Sequence, residues 1–134
     1  MTYLLDTSVL TRLSVDVVRA RVRRLDDEGL ACTTITALEI GFSARNSEEW
    51  DRLAAAIGVF ANIDVTEAHL LEAARTQRRL AEAGLRGRKV PDLLIAAVAA
   101  MENRTVLHYD SDFVHIASVT GQPQEWVVPA GDID

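Results

Sequence analysis

From Leu93 to Met101 the chain reads LLIAAVAAM, apolar at every position. A surface helix carries one apolar stripe, whereas a helix apolar all round needs protein on every side. The run is also too short for a membrane span, which takes ~18 apolar residues, and no other segment approaches that length. The chain must therefore wrap further layers around a buried helix. Asp92 stands at the mouth of that helix, just behind Pro91. A carboxylate facing such an interior is costly unless something positive meets it.

The other segments supply the layers by alternation. TYLL opens the chain as a strand, and Asp6, Thr7 and Ser8 follow as turn or cap residues. DVVRARVRRLDDEG puts Val18, Val22 and Leu25 on one helical face and stops at Gly29. LACTTI reads as a strand, TALEIGFSAR and SEEWDRLAAAIG as helices, and VFANIDV as a strand. A long helix runs between Thr66 and Gly84, followed by the basic loop LRGRK and the buried helix. RTVLHY is a strand, DSDFVHIAS a short helix, and QEWVV a last strand. Strands alternating with helices imply a mainly parallel sheet with helices on both faces, an α/β class. YLL and TVLHY are nearly all apolar, as central strands are. In such sheets ligands bind beyond the carboxyl ends of the strands.

A chain of 134 residues fits one domain, 1–134, and can bury a core without staples. Cys32 is the only cysteine, which excludes an internal disulfide. The first apolar run stops at Asp6, so no signal-peptide core is expected. A soluble cytoplasmic protein without membrane contact is the expectation. The net charge of −6 argues against a nucleic-acid binder. Yet 13 of the 14 basic residues are arginine, which grips phosphate bidentately, although genomic base composition accounts for such a bias equally well. Arg86, Arg88 and Lys89 lie just before Asp92, and Arg12 and Arg45 follow Asp6 and Glu39 closely enough to reach the same mouth.

The acids fall where ligands bind. Asp6 ends the first strand, Asp110 ends TVLHY with Asp112 two residues on, Asp92 opens the buried helix, and Glu39 shares a helical face with Ile35 and Phe42. Brought together, these carboxylates repel one another, and a divalent cation or bound protons must neutralise them. All-oxygen ligands point to Mg²⁺ or Mn²⁺ rather than zinc. Each acid also has a plainer reading. Asp6 and Asp112 fit N-caps, Asp92 fits the field of a helix N-terminus, and Thr36-Ala-Leu-Glu39 matches a capping box. Independent caps, however, need not gather at one end of one sheet.

The segments YLLDTSVL, TALEIGF, VPDLLIAAVA and VLHYDSDF resemble the acidic motifs of PIN-domain ribonucleases, and most of all those of the VapC toxins of bacterial VapBC toxin–antitoxin modules. The resemblance covers nearly the whole chain. It implies a PIN-domain-like α/β/α sandwich and a Mg²⁺- or Mn²⁺-dependent endoribonuclease toxin. It implies structured RNA, commonly tRNA, as substrate, a metal-activated water as attacking group, and inhibition by a VapB antitoxin. A homodimer or a toxin–antitoxin hetero-oligomer is the implied assembly. By position, Asp6, Glu39, Asp92 and Asp110 are the acidic quartet and Asp112 a further acid beside it. Asp6, Asp92, Asp110 and Asp112 are the implied metal ligands, and Thr7 or Ser8 holds a metal-bound water. His115 stands where many relatives carry an acid.

Other functions leave different marks. A metal-free ribonuclease would use His69, His108 or His115. An aspartyl phosphatase wants an acid at position 8, which is Ser8. A receiver-like signalling module wants paired acids after the first strand and a lysine at a later strand end, but the only lysine precedes Pro91. A non-cleaving PIN scaffold would not need the acids it keeps.

Overall fold

The computed structural model describes residues 2–134. Five strands, β1 (Tyr3–Leu5), β2 (Leu30–Thr33), β3 (Ala61–Ile63), β4 (Thr105–His108) and β5 (Gln124–Trp126), form one sheet in the order β3-β2-β1-β4-β5. Every pairing is parallel. The connections carry α1 (Thr7–Leu10), α2 (Asp16–Leu25), α3 (Thr34–Gly41), α4 (Ser47–Ile57), α5 (Glu67–Glu82), α6 (Val90–Met101) and α7 (Asp112–Thr120).

Alternation along the strands divides the core in two, because neighbouring side chains point to opposite faces. Leu4, Ala31 and Val106 pack with Ala73 and Leu80 of α5, Ile95 and Val98 of α6, and Phe113 and Ile116 of α7. Tyr3, Leu5, Cys32 and Leu107 pack on the other face with Val9 of α1 and with Val18, Val22 and Leu25 of α2. The result is an α/β/α sandwich. Each fully buried Leu or Ile of these layers contributes roughly 1.5–3 kcal/mol through removal from water.

The chain builds outward from β1 to β2 and β3, then returns to lay β4 on the opposite side of β1. The order therefore reverses between β1 and β4, and a crevice opens beyond their carboxyl ends. Asp6 N–H donates to Leu107 O at 2.9 Å and closes that junction.

Helix α6 is wrapped over only part of its apolar run. Leu93 and Ile95–Ala99 are buried, but Leu94 is half-buried and Ala100 and Met101 are exposed. Local boundaries differ from expectation at β2, which stops at Thr33, two residues before the end of LACTTI. Thr33 turns into the N-cap of α3, and its Oγ1 accepts the Thr36 N–H at 3.3 Å. The capping box expected at Thr36–Glu39 is thereby lost. One forms at α5 instead, where Thr66 and His69 cap reciprocally.

Candidate active site

Asp6 follows the last residue of β1 and N-caps α1. Its Oδ2 accepts the Ser8 N–H at 3.0 Å and the Ser8 hydroxyl at 2.5 Å. Ser8 Oγ in turn accepts the Tyr109 N–H at 2.8 Å, so one hydroxyl ties the end of β1 to the end of β4. The cap reading of Asp6 is thus correct for one oxygen. The other, Oδ1, is buried without a hydrogen-bond partner.

Asp92 stands in the first turn of α6, after Pro91 at a position where the missing N–H costs nothing. Like Asp6 it is almost fully buried, 4% exposed against 3%. Its Oδ2 also lacks a hydrogen-bond partner, and the Lys89 ammonium is 3.6 Å away. Asp110 Oδ1 accepts the Asp112 N–H at 2.9 Å, and Oδ2 accepts from Lys89 Nζ at 3.0 Å. Asp112 does not cap α7, whose N-cap is Ser111; its Oδ1 accepts from Arg88 at 2.9 Å. Glu39 reaches from α3 and accepts the Thr7 hydroxyl at 2.6 Å through Oε1. Asp6, Thr7, Ser8, Glu39, Asp92 and Asp110 line one cleft of about 250 Å³.

Burial sorts the acids by proton affinity. It pushes Asp92 up to about 8, and the nearby Asp6 charge adds to the shift against the pull of Lys89. Burial also raises Asp6, outweighing the Ser8 hydrogen bonds. Asp110 goes the other way. Burial alone would raise it, but the Asp112 N–H and the Lys89 ammonium together hold it below the ordinary carboxylate range. Side by side, one acid is poised to carry a proton near neutrality while its neighbour stays ionised.

This donor set fits a hard divalent cation. Carboxylate oxygens of Asp92, Asp110 and Asp112 lie within 4.8 Å of one another, and Asp6 and Asp92 each keep a buried oxygen with no hydrogen bond. A metal ion would supply what those oxygens lack, and oxygen-only ligands suit a hard cation rather than zinc. The Thr7 hydroxyl donates to Glu39 and the Ser8 hydroxyl to Asp6, so each orients a carboxylate.

The basic residues divide. Lys89 and Arg12 line the acid cleft. Arg88 turns inward to Asp112. Arg86 sits beside it in a neighbouring cleft of about 380 Å³ with Gln77 and Arg78 of α5. Arg45 is not gathered with them; it pairs with Glu49 one turn along, at 2.9 Å. No histidine lines the cleft. His108 is fully buried, accepts the Asp110 N–H on Nδ1 and pairs its Nε2 with Gln124 at 2.5 Å, and burial lowers its proton affinity. His69 belongs to the α5 cap and bonds Glu102. His115 lies on α7 and does not line the cleft.

Sequence reasoning missed Tyr109 and the tail. The Tyr109 ring lies under Arg12, 5.0 Å from the guanidinium. Its hydroxyl donates to Ile133 O at 2.6 Å and accepts N–H groups of Gly131 and Ile133. Arg12 Nε donates to Asp134 O at 2.8 Å. The tail therefore braces the residue between two strand-end acids. An aromatic between His108 and Asp110 was the visible signal, but nothing in the tail's composition names its partner.

Comparison with known proteins agrees with this geometry. The PIN domain family model matches residues 3–119. The chain is 54% identical over 133 residues to Ribonuclease VapC51 of Mycobacterium tuberculosis, covering 98% of this chain and 97% of that one. It is 40% identical to Ribonuclease VapC21 of the same species, with 96% of each chain covered. Among solved structures it superposes on VapBC2 from Rickettsia felis, bound to a promoter DNA fragment, with a TM-score of 0.79 at 19% identity, covering 94% of this chain and 98% of that one. VapBC-1 from nontypeable Haemophilus influenzae gives 0.77 at 21% identity, with 95% and 98% covered. Among the described residues no helix is long and apolar enough to cross a membrane. With its acids gathered at the reversal point of a parallel sheet and its sequence aligned end to end with these ribonucleases, the chain belongs to the PIN-domain family and, within it, to the VapC ribonucleases.

Proposed function

We propose that the protein is a Mg²⁺- or Mn²⁺-dependent endoribonuclease toxin, one PIN domain across its length, that hydrolyses phosphodiester bonds of structured RNA, with tRNA the substrate class. The observation that carries this reading is the pair of buried carboxylates, Asp6 and Asp92, each with an oxygen left without a hydrogen bond at the mouth of the cleft. Asp6, Asp92, Asp110 and Asp112 are the residues to hold the ion. A divalent cation held there lowers the pKa of water and neutralises charge developing on the phosphate. Ser8 holds the Asp6 carboxylate by Oδ2 and leaves Oδ1 without a hydrogen bond. Thr7 occupies Oε1 of Glu39 and leaves Oε2 to take a proton from water. Arg12 and Lys89 stand at the rim for the phosphate, and Arg86 continues the basic path along α5.

Purified protein incubated with tRNA and Mg²⁺ tests this directly. The expected products carry 5′-phosphate and 3′-hydroxyl ends, as in-line attack by water leaves them. Ends carrying 2′,3′-cyclic phosphate would overturn the reading, because that product comes from attack by the ribose hydroxyl.

Glu39→Gln separates base from brace. The glutamine still accepts from Thr7, so the melting temperature holds, while turnover falls about 10²-fold through loss of the base. Unchanged turnover would assign Glu39 to structure alone.

RNA binding by an acidic protein depends on a local patch. Arg86→Ala, made in an Asp92→Asn background so that the RNA stays whole, is expected to flatten the slope of log affinity against log salt by about 0.7–0.9. Parallel lines of equal affinity would place the RNA elsewhere. Arg88 is the poorer probe, since it also holds Asp112.

The inhibiting partner we propose is a VapB antitoxin, in keeping with the toxin–antitoxin complexes that share the fold. An apolar strip of Ile35, Leu38, Phe42, Pro91 and Leu94 adjoins Glu39, with Phe42 91% exposed, and suits a protein partner that also reaches the acids with a basic group. The working assembly is then a toxin–antitoxin hetero-oligomer or a toxin homodimer in the cytoplasm.

A further inference from the structure

Lys89 is the one lysine of the chain, and it stands at the N-cap of α6, three residues before Asp92 in the first turn of that helix. Its Nζ lies 3.0 Å from Asp110, 3.6 Å from Asp92 and 3.9 Å from Asp112. These are the same carboxylates whose oxygens converge within 4.8 Å. The ammonium thus sits on the point where the buried, unbonded oxygen of Asp92 faces its neighbours. An ammonium is a compact point charge with three donors on a flexible stem, so it meets several carboxylates without fixed geometry.

Its attachment allows it to leave. The side chain is 62% exposed, in contrast to 24% for Arg88, whose guanidinium is held on the outer oxygen of Asp112. Gly87, at φ +92° with open space around it, lies two residues before, so the loop is free of side-chain packing there. When the Lys89 ammonium swings out, Arg88 still neutralises Asp112 through Oδ1, and the inner oxygens are left for another cation.

We propose that Lys89 is a displaceable internal counter-ion: its ammonium holds the acid cluster together before the divalent cation binds, and is expelled from the cluster when that cation enters. The inference rests on the metal-dependent reading above. Expulsion puts the only lysine charge at the cleft rim at the moment the site becomes loaded, so metal entry and phosphate capture are linked through one side chain.

The single lysine makes the test clean. Protein labelled with ¹³C-lysine gives one ε-methylene signal, followed by NMR as Mg²⁺ alone is added to the RNA-free protein. The expected result is a shift to the position of a freely rotating lysine, in step with Mg²⁺ binding measured by calorimetry. Lys89→Met, which keeps the stem and removes the charge, is expected to bind Mg²⁺ about fivefold tighter, the scale of one lost exposed ion pair. Arg86→Met, which removes a nearby charge not in contact with the acids, is expected to leave the affinity within about twofold, as an exposed charge at screened distance does. Mg²⁺ binding with an unmoved lysine signal, or equal gains from both variants, would overturn the displacement and leave the metal-dependent reading standing. Absence of Mg²⁺ binding at millimolar concentration would overturn both.

Discussion

Asp92→Asn is expected to lose RNA cleavage by about 10³-fold or more, the scale of several kcal/mol of charge stabilisation at the reacting phosphate. The same variant is expected to melt higher than the parent in metal-free buffer at pH 8. Both results have one cause. Burial and the charge of Asp6 raise the Asp92 carboxyl to about 8 in the folded protein, far above its value in the unfolded chain. The folded state therefore binds the extra proton between about pH 4 and pH 8, and stability falls as pH rises through that window. Asparagine carries no charge to desolvate, so the variant lacks this slope. Two melting series, at pH 5 and pH 8, read it. The curves should lie close together at the lower pH and separate by about 4 °C or more at the higher, given that ~1 kcal/mol moves a domain of this size by about that much. A variant that melts lower at both pH values would make Asp92 a structural cap and remove its place in the chemistry.

Much of the fold was legible because its signals are local. Nine unbroken apolar positions forced a covered helix, and strand-helix alternation forced a parallel sheet around it. The central position of YLL and TVLHY follows from the same burial logic, and β1 and β4 do pair at the centre. The four aspartates could be placed at one end of the sheet because each follows a strand or opens a helix, and strand direction then decides where they meet. The extent of cover on α6 escaped, since where neighbouring layers stop depends on the lengths of other elements, and so did the end of β2, where Thr33 turns into the α3 cap.

The hidden part of the site is the set of ties between distant segments. Thr7 and Glu39 are 32 residues apart, Ser8 and Tyr109 are 101 apart, and no periodicity links either pair. The false capping box at Thr36 shows the converse. Its pattern is local and correct in form, but Thr33 ends a strand in the right extended geometry and takes the cap first. Proximity in sequence to Glu39 suggested the mouth for Arg45, and the partner it meets is Glu49, one turn along. The tail carried no motif, and its role as a brace on Tyr109 comes from backbone groups that composition does not describe.

Chelation is expected to abolish cleavage outright, and Mg²⁺ or Mn²⁺ to restore it, with an affinity that depends steeply on pH. Ligand oxygens must be deprotonated before they bind a cation. Asp110 is already ionised well below neutrality, so it contributes no slope near pH 7. Burial raises Asp6 as well, and Asp92 is the acid that keeps its proton until about pH 8. Binding then releases one proton, and affinity falls about tenfold for each unit below that pH. Calorimetry in two buffers of different ionisation enthalpy counts the proton independently of any cleavage assay. One proton released at pH 7, falling toward none above pH 9, is the expected pattern. Asp92→Asn, with no proton to release at that position, should bind weakly and with a shallower slope. Full activity in excess EDTA would sink the metal chemistry altogether. A pH-independent affinity in the parent would instead show that Asp92 is ionised before the cation arrives, and that Lys89 neutralises it more completely than its exposed position implies.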